Sequence, residues 1–186
     1  MLTLFKSLVL PHLDYCSPLW SPVDAYSIKA IESVQRKFTR RLYNGSQRPD
    51  YWVRLSELRL YSLERRRERY IIIYLVKIVN GRVPNPGLLH VINPRTGYHL
   101  VQPKVDASHP GWLSKVNKIR LLQKGPKLFN CLPIHLRSQE SVQSSTDSFK
   151  RRLDDFFQIV PDQPTVPGLQ RAAASNSIAD QIYYSH

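Results

Sequence analysis

The segment 23–43 constrains the fold more than any other part of the chain, because it carries a long amphipathic pattern. Its apolar residues recur every three or four positions, the spacing of one face of an α-helix: Ile28, Ile31, Val34, Phe38 and Leu42. Ser21-Pro22 supplies start signals and Asn44-Gly45 supplies a stop signal. We therefore predict a helix over 23–43 whose apolar stripe is buried.

Five further segments are predicted to be helical from similar periodicity and capping signals: 2–10, 51–58, 63–80, 127–132 and 146–159. The helix over 63–80 has two unlike halves. Residues 64–69 are all charged and predict a segment that is solvated on nearly all sides, whereas residues 70–79 are apolar almost all round and predict burial. The first helix, ended by Pro11, presents an apolar face that predicts a missing partner: Leu2, Leu4, Phe5, Leu8 and Val9.

The fold class predicted from these segments is mainly α, a helical bundle with a small β-hairpin and extended proline-rich stretches. The hairpin is placed between strands 98–103 and 116–122. Prolines and glycines divide the chain into four regions: a helical region 1–81, a Pro/Gly-rich connector 82–113, a small helical region 114–159 and an extended tail 160–186.

The charge balance predicts a polyanionic partner. The chain has 186 residues, with 27 Lys and Arg against 14 Asp and Glu, a formal net charge of +13. Nucleic acid is the usual polyanion for a chain of this kind. The longest apolar run is far shorter than the ~20 residues of a membrane span, so no membrane is expected as a partner. No small-molecule substrate is expected either.

Two basic clusters are the candidate nucleic-acid-binding residues. The first holds Arg36, Lys37, Arg40 and Arg41, and the second holds Arg65, Arg66, Arg67 and Arg69. Arginine suits phosphate because its planar fork donates two parallel hydrogen bonds. The alternative for both clusters is a solvated helix face. In the second cluster, Glu64 and Glu68 also offer local ion pairs.

Catalysis finds little support in the residue pattern. Two-metal phosphoryl transfer needs gathered carboxylates, and the only adjacent pair, Asp154-Asp155, fits the polar face of a helix. Cys16 and Cys131 form neither a disulfide framework nor a zinc site. We therefore expect no enzyme activity, no catalytic residues, no metal, no cofactor and an intracellular protein.

Many fixed spacings, taken together, resemble a known family. Residues 6–39 contain Lys-Ser-Leu-Val, Leu-Asp-Tyr-Cys-Ser, Trp-Ser-Pro and Val-Gln-Arg in order, and residues 54–67 and 74–81 continue the pattern. Residues 125–133 read Gly-Pro-Lys-Leu-Phe-Asn-Cys-Leu-Pro. This series resembles the segment that follows the polymerase core in reverse transcriptases of non-LTR (LINE-type) retrotransposons, and it covers nearly the whole chain.

The resemblance implies a thumb-like helical region in 1–81 and contact with the backbone of a template–primer duplex of RNA or DNA. It also implies that the catalytic core of an RNA-directed DNA polymerase is absent, so the chain is expected to be a remnant without polymerase activity. A reverse transcriptase core is then a further expected partner. Two alternatives stay open: a protein–protein scaffolding module, and a transposon-derived fragment without function.

Overall fold

The structure, a computed structural model, describes residues 1–22, 24–43, 48–85, 89–92, 97–101, 120–164 and 176–184. It is mainly helical with one two-stranded antiparallel sheet, which confirms the predicted fold class. The α-helices are α1 (Leu2–Leu4), α2 (Leu10–Asp14), α3 (Ser17–Trp20), α4 (Ala25–Leu42), α5 (Tyr51–Glu57), α6 (Leu63–Val79), α7 (Arg120–Asn130), α8 (Ile134–Arg137), α9 (Gln139–Gln143), α10 (Thr146–Ile159) and α11 (Ile178–Tyr184). The strands are β1 (His90–Ile92) and β2 (His99–Val101).

Pro11 does not end the first helix, contrary to the prediction. A π-helical turn, Phe5–Val9, joins α1 to α2, and Pro11 lies in the first turn of α2. A proline lacks the N–H that an α-helix needs, and a widened turn just before it removes that conflict. Phe5 is turned inward by this arrangement and stacks on Phe38, with ring centres 4.0 Å apart.

Helix α6 forms the centre of the main core. Its second half is buried as predicted, because α7 and α10 pack on it from different sides. Gly125 of α7 lies so close to α6 that an added Cβ would meet Leu75 Cδ1 at 2.9 Å. The absence of a side chain at Gly125 therefore allows the close crossing of the two helices.

The predicted hairpin exists, but its partner strand was wrong. Strand β2 pairs with β1, with Val91 opposite Leu100, whereas residues 120–122 belong to α7 and residues 102–119 lie outside the described part. A short connection costs less chain entropy to close than a long one. Asn130 extends the sheet by pairing with both backbone groups of Leu100, at 3.0 Å from its N–H and 2.8 Å from its C=O.

The main apolar cluster contains residues from all four regions that were predicted from composition. Residues of α6 share one apolar cluster with residues of α7, α10 and α11. In the segment predicted to be an extended tail, residues 178–184 form a helix, and Ile178 is fully buried in that cluster.

Helix α4 buries a polar stripe that its apolar pattern did not predict. Its most buried residues are Glu32, Gln35 and Thr39, whereas Val34 is exposed. Glu32 accepts the backbone N–H groups of Leu63 and Glu64, so it satisfies two free donors at the start of α6. These contacts turn the opposite, basic side of α4 toward solvent.

Candidate nucleic-acid interface

The first basic cluster is an exposed surface of α4. We call Arg36, Lys37, Arg40 and Arg41 the α4 cluster; all four side chains are exposed. Within the described part of the chain, none of them forms an ion pair with a carboxylate. Their charges are therefore available to a partner.

Two arginines that sequence reasoning did not select join this surface. Arg48 lines two neighbouring grooves beside α4, one of about 370 Å³ and one of about 560 Å³. Arg54 of α5 lines the larger groove, although only 8% of the residue is exposed. No spacing rule relates either residue to α4, because both belong to a later segment, Arg48 just before α5 and Arg54 within it.

Helix α5 positions the aromatic wall of the larger groove. Asp50 caps α5 by accepting the N–H of Trp52 at 3.2 Å. Tyr51 donates its hydroxyl to Glu32, and the Cζ of Arg36 lies 3.9 Å from the centre of the Tyr51 ring. Burial, with the nearby Glu32 carboxylate, raises the pKa of Tyr51, so the phenol stays neutral. The ring thus holds Arg36 through a cation–π contact.

The second basic cluster is not a free surface, contrary to the solvated segment predicted for residues 64–69. We call Arg65, Arg66, Arg67 and Arg69 the α6 cluster. Arg65 is 0% exposed and Arg67 is 1% exposed, and the residues predicted to be solvated, Glu64 and Glu68, are buried with them. In this structure, phosphate cannot reach the two buried arginines.

Groups far away in sequence hold three of the four arginines of the α6 cluster in place: Arg65, Arg66 and Arg69. Arg66 donates from Nε and Nη2 to the two carboxylate oxygens of Asp14, and Arg69 pairs with Asp154 in the same way, at 2.5 and 2.6 Å. Arg65 donates to the carbonyl oxygens of Val160 and Pro161, at 3.2 and 2.7 Å. Its Nε lies 3.9 Å from the Asp162 carboxylate. These partners identify a structural role, and Asp154 takes part in it.

Glu64 and Glu68 connect α6 to α7 and α11. Lys124 Nζ lies 2.8 Å from Glu68 and 3.5 Å from Glu64. The backbone N–H of Ile178 donates to Glu68 at 2.8 Å, and that of Asn176 donates to Glu64 at 3.3 Å. The two glutamates therefore fix the start of the last helix.

Burial changes the protonation of this network. Burial, followed by the neighbouring Glu68, raises the pKa of Glu64 to about 7. Burial also raises the pKa of Glu32 and lowers the pKa of Arg67. Burial alone would lower the pKa of Lys124, but Glu68 and Glu64 outweigh it, and the pKa is raised. Lys124 thus stays charged between its two glutamates.

The buried network does not account for the positive charge of the chain. It contains five basic groups, the α6 cluster and Lys124, and six acidic groups: Asp14, Glu32, Glu64, Glu68, Asp154 and Asp162. Of the 27 basic and 14 acidic residues, this leaves 22 basic and eight acidic residues elsewhere. The whole excess of positive charge therefore lies outside this network, in the part of the molecule that includes the α4 cluster.

Among the described residues, no group of His, Cys, Asp or Glu side chains is placed to hold a metal ion. In the same part of the chain, no helix combines the length and the apolar character needed to cross a membrane. No protein-family model, curated protein or solved structure matches this chain. The resemblance to the reverse transcriptases of non-LTR retrotransposons therefore stays a prediction.

Proposed function

We propose that this chain binds the backbone of RNA and DNA through the α4 cluster, together with Arg48 and Arg54. One observation carries the proposal: the four cations of the α4 cluster are exposed and have no carboxylate partner in the described residues. In contrast, each of the four arginines of the α6 cluster is buried or is paired with a carboxylate. A groove lined by positively charged side chains raises the local concentration of anions near its surface.

Phosphate is the chemistry that fits this surface best. Residues four apart on a helix lie on the same side, so Arg36 and Arg40 form one row and Lys37 and Arg41 form a second. Tyr51, which lines the groove, is buried and covered by Arg36, so its ring offers no open face to a base. Backbone contact without base contact gives binding with little sequence preference.

Fluorescence anisotropy with labelled RNA and DNA of unrelated sequences tests the proposal. Six contacts, one for each cation, give a slope of log affinity against log salt of about −4 to −5. Affinity should then fall by roughly 10²–10³-fold between 50 and 200 mM salt. Binding that does not change with salt, or that requires one sequence, would reject backbone contact by these cations.

A protein–protein role is the second candidate, because two apolar side chains on the first helices remain exposed. Leu4 and Leu8 lie one turn apart and are each 61% exposed. The predicted apolar face is narrower than expected, since Phe5 is buried and Leu2 and Val9 are partly buried. Light scattering distinguishes this role: association that Leu4→Ser/Leu8→Ser abolishes supports it, and a monomer at all concentrations argues against self-association.

A further inference from the structure

Arg54 is a buried cation that lines the larger groove beside α4, the one of about 560 Å³. Its Nη1 donates to the carbonyl oxygen of Pro49 at 2.6 Å, and its Nε approaches Thr39 Oγ1 at 3.4 Å. A guanidinium has five N–H donors, so these contacts hold its orientation without using all of them. It forms no ion pair with a carboxylate in the described part of the chain.

Three further arginines converge on the same groove: Arg36, Arg40 and Arg48. The Cζ atoms of Arg36 and Arg54 lie 3.9 and 5.7 Å from the centre of one ring, that of Tyr51. The two Cζ atoms therefore lie no more than about 10 Å apart. Among the described residues that line this groove, Asp50 is the one carboxylate, and it already caps α5. Four guanidinium groups against one carboxylate leave the groove strongly positive.

We propose that these four arginines form a discrete phosphate subsite, with Arg54 as its buried anchor, which deepens the proposed function and rests on it. Several oxygens on one phosphorus can accept from more than one guanidinium fork. The Tyr51 ring and the Pro49 carbonyl hold two of these forks in place, so less side-chain freedom is lost on binding. A backbone phosphodiester and free inorganic phosphate share this chemistry.

The experiment replaces the guanidinium of Arg54 with the ammonium group of lysine, which keeps the positive charge but not the planar fork. We expect Arg54→Lys to lower affinity for a labelled oligonucleotide about tenfold and to leave the salt slope unchanged, because lysine is a point charge. Arg151→Lys is the matched control, since Arg151 is exposed on α10, and it should change affinity less than twofold. Calorimetric titration with inorganic pyrophosphate forms the second part of the test. We expect saturable one-to-one binding to the unaltered chain, and we expect Arg54→Lys to weaken that binding about tenfold as well.

A thermal melt shows whether Arg54→Lys is folded. If it is not, Arg40→Lys carries the test, because Arg40 is exposed and has no ion-pair partner in the described residues. Oligonucleotide binding that neither substitution weakens overturns the subsite and leaves the proposed function standing. Pyrophosphate binding that needs Arg54, without oligonucleotide binding, keeps the subsite for free phosphate and rejects the proposed function. If neither ligand binds, both proposals fail.

Discussion

The α4 and α6 clusters look alike in sequence, since each places four basic residues within six or fewer positions. In the structure they differ in exposure and in the partners of their side chains. The α4 cluster is exposed and has no described carboxylate partner, whereas the α6 cluster is buried or paired. The partners of Arg66 and Arg69 are 52 and 85 residues away along the chain. A run of arginines therefore reveals its role only when its partners are known.

We expect the α6 cluster and the carboxylates around it to contribute more to the free energy of unfolding than the α4 cluster does. We expect Glu68→Ala to lower the free energy of unfolding by about 2–4 kcal/mol, because it leaves the buried N–H of Ile178 without its acceptor and leaves Lys124 with Glu64 alone, at 3.5 Å. Chemical denaturation measures the loss, with Asp155→Ala, an exposed carboxylate on α10, as the control. A loss below about 1 kcal/mol would show that this network contributes little.

A double variant sharpens that result. Glu68→Gln/Lys124→Met removes both charges, so it should be more stable than Glu68→Ala. If the double variant is the less stable of the two, the buried charge left by Glu68→Ala is not the cause of its instability.

The two clusters should also differ in their response to pH. The pKa of Glu64 is about 7 in the folded protein, above its ordinary value of 4.5. The folded state therefore binds its proton more tightly, and stability should fall by about 1–3 kcal/mol as pH rises from 5 to 8. Glu32, whose pKa is also raised, acts in the same direction.

Denaturation at several pH values measures this effect, and Glu64→Gln should flatten the profile. Nucleic-acid affinity should change little over the same range, because arginine and lysine keep their charge. Stability that rises from pH 5 to 8 would contradict a raised pKa for Glu64.

Most helices could be predicted from sequence because their signals are local. Ser62 and Ser145 cap α6 and α10 through Arg65 N and Ser148 N, and apolar spacing marks the buried faces. The α4 stripe was missed because amphipathic rules count apolar residues only. Glu32, Gln35 and Thr39 do show three- and four-residue spacing, which is the signal that could have found them.

The remaining features depend on contacts between distant segments. The local sequence does not decide whether Arg65 and Arg67 are buried, because some of their carboxylate neighbours lie far away along the chain, Asp162 near Arg65 and Glu32 near Arg67. In the same way, Arg54 reaches the α4 surface only through the packing of α5. Sequence reasoning therefore selected the four exposed cations of the α4 cluster without Arg48 and Arg54, and it also selected the α6 cluster, whose arginines the structure buries or pairs.

The smallest effect is expected for stability changes in the α4 cluster. Arg40→Ala and Arg41→Ala should each change the free energy of unfolding by less than about 0.5 kcal/mol, since exposed side chains without partners contribute little. The same denaturation series measures both. A loss above about 1.5 kcal/mol would reveal structural contacts of these residues and weaken their assignment to binding.

The salt dependence of nucleic-acid binding tests the central claim most directly. It should be measured for the unaltered chain, for Lys37→Ala/Arg40→Ala, and for Lys127→Ala/Arg151→Ala, which removes two exposed cations elsewhere. We expect the first double variant to reduce the slope by about two and the control to leave it unchanged. Equal slopes for the two double variants would contradict binding through the α4 cluster.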